Sequence, residues 1–171
     1  MQLKSQDLLV TLKLVVSTDP WRYADLATSL GLGQGETHAA VKRAIRAGLL
    51  VRDKSQPVPM QRNLLEFLGH GIRYVFVPDR GKITRGMPTA WAASPLAEMI
   101  SGDQDPAPVW PCPEGTVRGE SFSPLYRSVP LAARNDRRLY EVLALVDAMR
   151  DGRSRERKMA MDLLHDRIRT S

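Results

Sequence analysis

The sequence predicts an α+β fold that is mainly helical, and three observations carry the prediction. Apolar residues recur at helical spacing in several separate stretches, one short stretch alternates apolar with polar residues, and prolines crowd the middle of the chain. The 171 residues are 43% hydrophobic and 26% charged, the proportions of a globular chain rather than a disordered or collagen-like one. A chain of this size buries roughly two-thirds of its unfolded surface without disulfides or metals. The longest apolar stretches are interrupted by Lys13, or by Tyr140, Glu141 and Asp147, and fall short of the roughly 20 residues that span a membrane. The residues from Met1 to Asp7 lack the charged start and cleavage site of a signal peptide. A single cysteine, Cys112, excludes an internal disulfide framework and fits a reducing compartment. The expectation is a soluble cytoplasmic protein.

The elements follow in order. Leu8, Leu9, Leu12, Val15 and Val16 form the stripe of a first amphipathic helix. Asp19 is expected to cap a second helix, with Pro20 in its first turn, and Tyr23, Leu26, Ala27 and Leu30 as its buried side. Gly31 fits the left-handed position that closes this helix, and Leu32 fills the core beneath it. A third helix runs from about Glu36 to Ala47, with Thr37, Val41, Ala44 and Ile45 along one side. Leu49-Leu50-Val51 reads as a strand leaving it, and Gln56-Pro57-Val58-Pro59 as a loop. Leu64, Leu65 and Leu68 suggest a short helix up to Gly69. Ile72 to Val77 alternates and is rich in β-formers, Pro78-Asp79-Arg80-Gly81 reads as a tight turn, and Lys82 to Arg85 as the returning strand. Eleven of the twelve prolines lie between residues 57 and 130, so the stretch from Asp105 to Pro113 is neither a helix nor an inner strand. Trp110, Val117, Phe122, Leu125 and Tyr126 make it too apolar for a disordered linker, so it reads as an extended arm packed on its own subunit or on a dimer mate. Two helices close the chain, striped by Leu139, Val142, Leu143, Val146 and Met149, and by Ala160, Leu163, Leu164 and Ile168.

Three short helices, the last two joined by a glycine turn and followed by a strand, make the arrangement of a winged helix-turn-helix. Residues 1–88 are read as that domain with an inserted helix, 89–130 as a proline-rich extended arm, and 131–171 as a C-terminal helical segment for packing or dimerisation. The net charge of +6 divides into +3 over residues 1–55, zero over 56–130 and +3 over 131–171. At about 100° per residue, Ala39, Lys42, Arg43 and Arg46 fall opposite the apolar stripe of the third helix, with His38 at the boundary. That geometry turns a general basic bias into a surface for phosphates and for guanine edges.

The segments from Trp21 to Gly31 and from Val41 to Leu50 resemble the MarR-like winged-helix regulators. The shared order is aromatic-x-x-Leu-Ala-x-x-Leu-Gly, then Val-x-Arg-Ala-x-x-x-Gly-Leu-Leu, over the first third of the chain. Gly33 and Gly35 stand where a Ser or Thr ordinarily caps the recognition helix. The resemblance implies terminal helices that pair with a second subunit, and two-fold pairing sets two recognition helices about 34 Å apart.

The function expected is a transcriptional regulator that binds double-stranded DNA as a homodimer. A repressor is the expected sign, because no acidic disordered segment suggests an activation region. The third helix enters the major groove through His38, Ala39, Lys42, Arg43 and Arg46, while Gln34 and Thr37 reach the backbone at its start. Arg80, Lys82 and Arg85, at the tip of the wing, contact flanking phosphates. The alternative is an antitoxin-like module that binds a partner protein through the extended arm, since winged helices also stand at the front of AbiEi-type antitoxins. A ligand-responsive regulator, with Trp91, Trp110 and Tyr126 lining a pocket, is a third reading. The basic run from Arg150 to Lys158 reads either as a second nucleic-acid contact or as a salt-bridged helix junction.

Other chemistries find no support. Gly31, Gly33 and Gly35 lack the spacing and the preceding strand of a dinucleotide loop. His38, His70, His165 and Cys112 do not fall at metal-ligand spacing, and no nucleophile–base or paired-carboxylate constellation is legible. No catalytic residue, metal or cofactor is expected.

Overall fold

The structure, a computed structural model, describes residues 1–101 and 105–169. It is an α+β fold dominated by helices, in which a helical body carries two small sheets, one of two strands and one of three. Three helices open the chain: α1 (Ser5–Val16), α2 (Tyr23–Leu30) and α3 (Gln34–Arg46). Helix α1 is buried on almost every side, from Asp7 through Leu12 and again from Leu14 to Val16. Helix α2 starts at Tyr23, so Asp19 and Pro20 lie ahead of it and do not cap it; extended backbone at Arg22 makes the start instead. Gly31 closes it at φ +64, and the amide of Leu32 donates to the Ala27 carbonyl. A Cβ at Gly31 would also stand 2.7 Å from Leu131, so both conformation and space call for glycine there.

Two short strands follow α3, β1 (Leu50–Val51) and β2 (Val58–Pro59), paired antiparallel as Leu50 with Pro59 and Val51 with Val58. The stretch expected to be a loop at 56–59 therefore supplies a strand. The hairpin is fastened at its base, where the Met60 amide donates to the Leu49 carbonyl and Asn63 donates to the Gly48 carbonyl at 2.7 Å. Helix α4 (Gln61–His70) turns Leu64, Leu65 and Leu68 inward, as their spacing predicts.

The hairpin expected over residues 72–85 does not form. Ile72–Val75 is a helical turn, α5, and Phe76 donates its amide to Ile72. Alternation misleads here because Tyr74, Val75 and Val77 are exposed, while Ile72 and Phe76, four residues apart, turn inward. The strand β3 (Arg80–Pro88) does form, but its partners come from the proline-rich region: β4 (Pro108–Pro111), antiparallel, and β5 (Val117–Phe122), antiparallel. Strands β4 and β5 run parallel to each other, so the three close into a very small barrel. The extended arm thus packs on its own subunit as strands, and the expectation of no inner strand between Asp105 and Pro113 is corrected, because β4 is flanked on both sides. Its prolines sit at its first and last positions, where a missing N–H costs the ladder least. Trp110 and Phe122 are completely buried within the chain's own body. Closure at this radius depends on glycine. A Cβ on Gly86 would lie 2.1 Å from the Trp110 carbonyl oxygen, and one on Gly119 would lie 2.0 Å from that of Ala107.

Helices α6 (Val129–Arg134), α7 (Arg137–Asp151) and α8 (Ser154–Arg169) complete the chain. Helix α7 is the axle of the molecule: every residue from Val142 to Arg150 is buried. It packs against α1, α4, α5, α6 and α8 and against the helical turn at Ala90–Ala92. Of the two roles expected for the terminal helices, packing or dimerisation, α7 takes the first, its apolar surface being buried inside one chain. Its Asp147 is fully buried and accepts from Thr89 Oγ1, Trp110 Nε1 and Arg150 Nη1, each at 2.7 Å. Arg150 also donates to the carbonyls of Phe76 and Ser123, which ties α7 to both ends of the sheet region. Burial pushes the Asp147 carboxyl upward, against the pull of Arg150 and the two neutral donors. Among the described residues, no helix is long and apolar enough to cross a membrane.

Candidate nucleic-acid interface

Gly33 stands in the cap position ahead of helix α3 and has no side chain to cap it. Glu36 takes over part of that task, accepting the Gly33 amide at 2.9 Å. That backbone hydrogen bond outweighs burial and, with the Tyr126 hydroxyl and Arg127, holds the Glu36 carboxyl below its ordinary range. The Tyr126 hydroxyl donates to Glu36 at 3.3 Å, so the segment after β5 braces the start of α3.

The apolar side of α3 is Thr37, Ala40, Val41 and Ala44. Thr37 was expected at the DNA backbone, but it is fully buried and donates its hydroxyl to the Gly33 carbonyl at 3.0 Å. Arg43 was expected on the outward face and is likewise turned in. Its Nε and Nη2 clasp both carboxylate oxygens of the buried Asp7 on α1, at 2.7 to 3.1 Å. Those hydrogen bonds raise the guanidinium's proton affinity further, against desolvation. A helical wheel places Arg43 beside the polar face. It cannot foresee that an apolar helix one layer down offers a buried carboxylate.

What remains outward is a stripe of Gln34, His38, Lys42 and Arg46, each four residues from the last and all exposed, with Ala39 half-buried beside it. His38 stacks on Tyr23 of α2, ring centroids 3.6 Å apart and planes within 17° of parallel. This fixes the imidazole against the preceding helix. Trp21 meets Tyr23 edge to face at 5.0 Å, extending the aromatic ledge.

The hairpin between β1 and β2 stands on the other side of this ledge. Its loop carries Arg52 and Lys54, both exposed. Gln56 ties the loop to the start of α2, accepting from the Trp21 amide at 3.4 Å and donating to the Trp21 carbonyl. Between helix and loop runs an open cleft lined by Tyr23, His38, Lys42, Ile45, Arg52 and Gln56, among others. The sequence reading missed Arg52, Lys54 and the Gln56 tie. The available signal was the β-branched pair Val51 and Val58 bracketing a polar, proline-ended loop directly after the third helix.

Arg80, Lys82 and Arg85 lie on β3 and so are not the tip of a hairpin that follows α3. Arg80 is engaged internally, with Asp151 at 2.9 Å and Glu120 at 3.5 Å, and its guanidinium lies 4.7 Å from the Phe122 ring centroid. Lys82 and Arg85 are exposed. Trp110 and Tyr126 serve different contacts, one inside the core with Asp147 and one with Glu36. Among the described residues, no three His, Cys, Asp or Glu side chains gather as metal ligands would. No known protein family, curated protein or solved structure matches this chain.

Proposed function

We propose that the chain is a DNA-binding transcriptional regulator of winged-helix type, acting as a homodimer and most simply as a repressor. The observation that carries the reading is the stripe Gln34–His38–Lys42–Arg46 on α3, faced across an open cleft by Arg52 and Asp53 of the β1–β2 loop, which also exposes Lys54. A helix followed directly by a two-stranded hairpin is the winged-helix order, and the wing of this reading is residues 50–59. The side chains suit the role. Lys42, Arg52 and Lys54 neutralise phosphates, Arg46 has the planar fork that matches guanine N7 and O6, and Gln34 matches adenine. His38 is held by its stack on Tyr23, so it presents one ring edge without a further ordering cost.

One recognition helix makes few base contacts, which is the argument for a two-fold dimer on a palindromic site. The test is a selection of bound duplexes from random DNA at two salt concentrations, followed by the Lys42→Ala/Arg46→Ala variant. Enrichment of a palindrome, and its loss in a variant that still folds, supports the reading. Binding that is indifferent to salt and to both substitutions defeats it.

A further inference from the structure

We infer that Arg85 and Arg118, facing each other across the β3–β5 ladder, form a clamp for a phosphate of the nucleic-acid backbone. This rests on the DNA-binding reading above and extends it to an element outside α3 and its hairpin. The two arginines are direct register partners, and both are exposed. Directly opposed residues of an antiparallel pair point to the same face with Cβ atoms about 5 Å apart, where like charges repel. Among the described residues, neither guanidinium has a carboxylate, hydrogen-bonding or aromatic partner. The ladder's nearby carboxylate, Glu120, is turned to Arg80 instead.

The backbone that carries the arginines is held from behind. Each is followed by a glycine that admits no side chain: Gly86, pressed on the Trp110 carbonyl, and Gly119, pressed on that of Ala107. The same Arg-Gly step therefore occurs in both strands, and close strand packing pins the backbone beside both guanidiniums. Two unpaired forks carried by directly paired residues can converge on a phosphate, which accepts from both at once and removes their repulsion. A protein partner is less well served. Its interface needs an apolar centre, and Ile83 is the large apolar side chain this ladder exposes.

The test uses the full chain with Arg85→Gln, Arg118→Gln and the double variant, against a duplex of roughly 30 base pairs. Each single substitution is expected to weaken binding about 3- to 10-fold, and the double to lower the salt slope by about 1 in total, since both arginines hold one phosphate. Without DNA, either single variant is expected to melt about 1–3 °C higher, because the repulsion is gone. A gain in melting temperature with weakened binding separates a clamp from ordinary surface charge, and also shows that the variants fold. Unchanged affinity and slope in the double variant, with Lys42→Ala still defective, overturns the clamp and leaves the DNA reading standing. A wild-type chain that binds no duplex at low salt defeats both. Binding of polyglutamate as tight as duplex, lost in the double variant, assigns the pair to an acidic protein and overturns the nucleic-acid clamp.

Discussion

The first 55 residues and the last 41 carry the same formal charge, +3 each, and place it in opposite ways. At the C-terminal end the arginines are largely engaged: Arg134 with Glu114, Arg137 and Arg167 with Glu141, Arg150 with Asp147, and Arg153 with Asp105. At the N-terminal end, Lys13 pairs with Asp136 and Arg43 with Asp7. Lys42, Arg46, Arg52 and Lys54 are exposed, with no carboxylate within ion-pair distance among the described residues. A run of basic residues therefore says little about a polyanion until the pairing of each one is known. The basic stretch from Arg150 to Lys158 belongs to a helix junction: Arg153 is paired, and Arg157 donates to the Gly152 carbonyl.

The sharpest way to break this contrast is within α3 itself. Arg43→Ala leaves Asp7 buried without its partner and is expected to cost about 3–5 kcal/mol in urea unfolding. Arg46→Ala, one turn away, should change stability by less than about 0.5 kcal/mol. Equal losses in the two variants would mean that the inner and outer sides of α3 are not distinct. Next in size, Lys42→Ala/Arg46→Ala is expected to reduce duplex affinity on the order of 100-fold at moderate salt, with an unchanged unfolding midpoint.

A smaller effect concerns pH. Burial alone would raise the Asp136 carboxyl, but Lys13 and the amide of Leu139, with weaker help from its neighbours, hold it below its ordinary range. A lowered folded value contributes stability above the unfolded carboxylate range and loses it as pH falls through the folded value. Asp136→Asn should accordingly flatten the acid side of the melting-temperature profile and lower stability at neutral pH. An unaltered acid limb would show that the Lys13–Asp136 pair adds nothing. The smallest effect is expected for Arg155→Ala/Lys158→Ala, with duplex affinity changed less than about 3-fold in a gel-shift titration. A loss comparable to that of the α3 variant would make the C-terminal end a second reading surface and undo the comparison.

Periodicity made the longer helices legible, because Leu26 and Leu30, Val41 and Ala44, or Leu139, Val142 and Val146, are buried together on a helix, whereas the short α5 and α6 escaped it. Gly31 was legible for a local reason, since the left-handed turn is a property of one residue. The barrel was not. Its strands meet across 12 to 42 residues of sequence, through glycines whose role is to let a distant carbonyl approach. Local rules penalise Pro108 and Pro111 without knowing which of their neighbours face a partner. The site was half legible for a similar reason. Spacing alone gives the angle of Arg43 on the helix, whereas its direction is set by a carboxylate 36 residues earlier.

The burial of α7 bears on how the molecule is made. Helix α1 is packed from the C-terminal side by α7 and α8 as well as by its own neighbours α2 and α3. During synthesis the three opening helices and their hairpin emerge first, yet the apolar side of α1 that faces α7 has nothing to meet until Asp151 is added. At ribosomal speeds the roughly 90 intervening residues take on the order of 5–20 seconds. The segment that reads DNA in this proposal therefore cannot mature as a detachable head, and the order of synthesis makes the last long helices the step that licenses the first. Truncations that spare every residue of α3 but remove α7 would be expected to yield aggregating chains, the opposite of a modular binding domain.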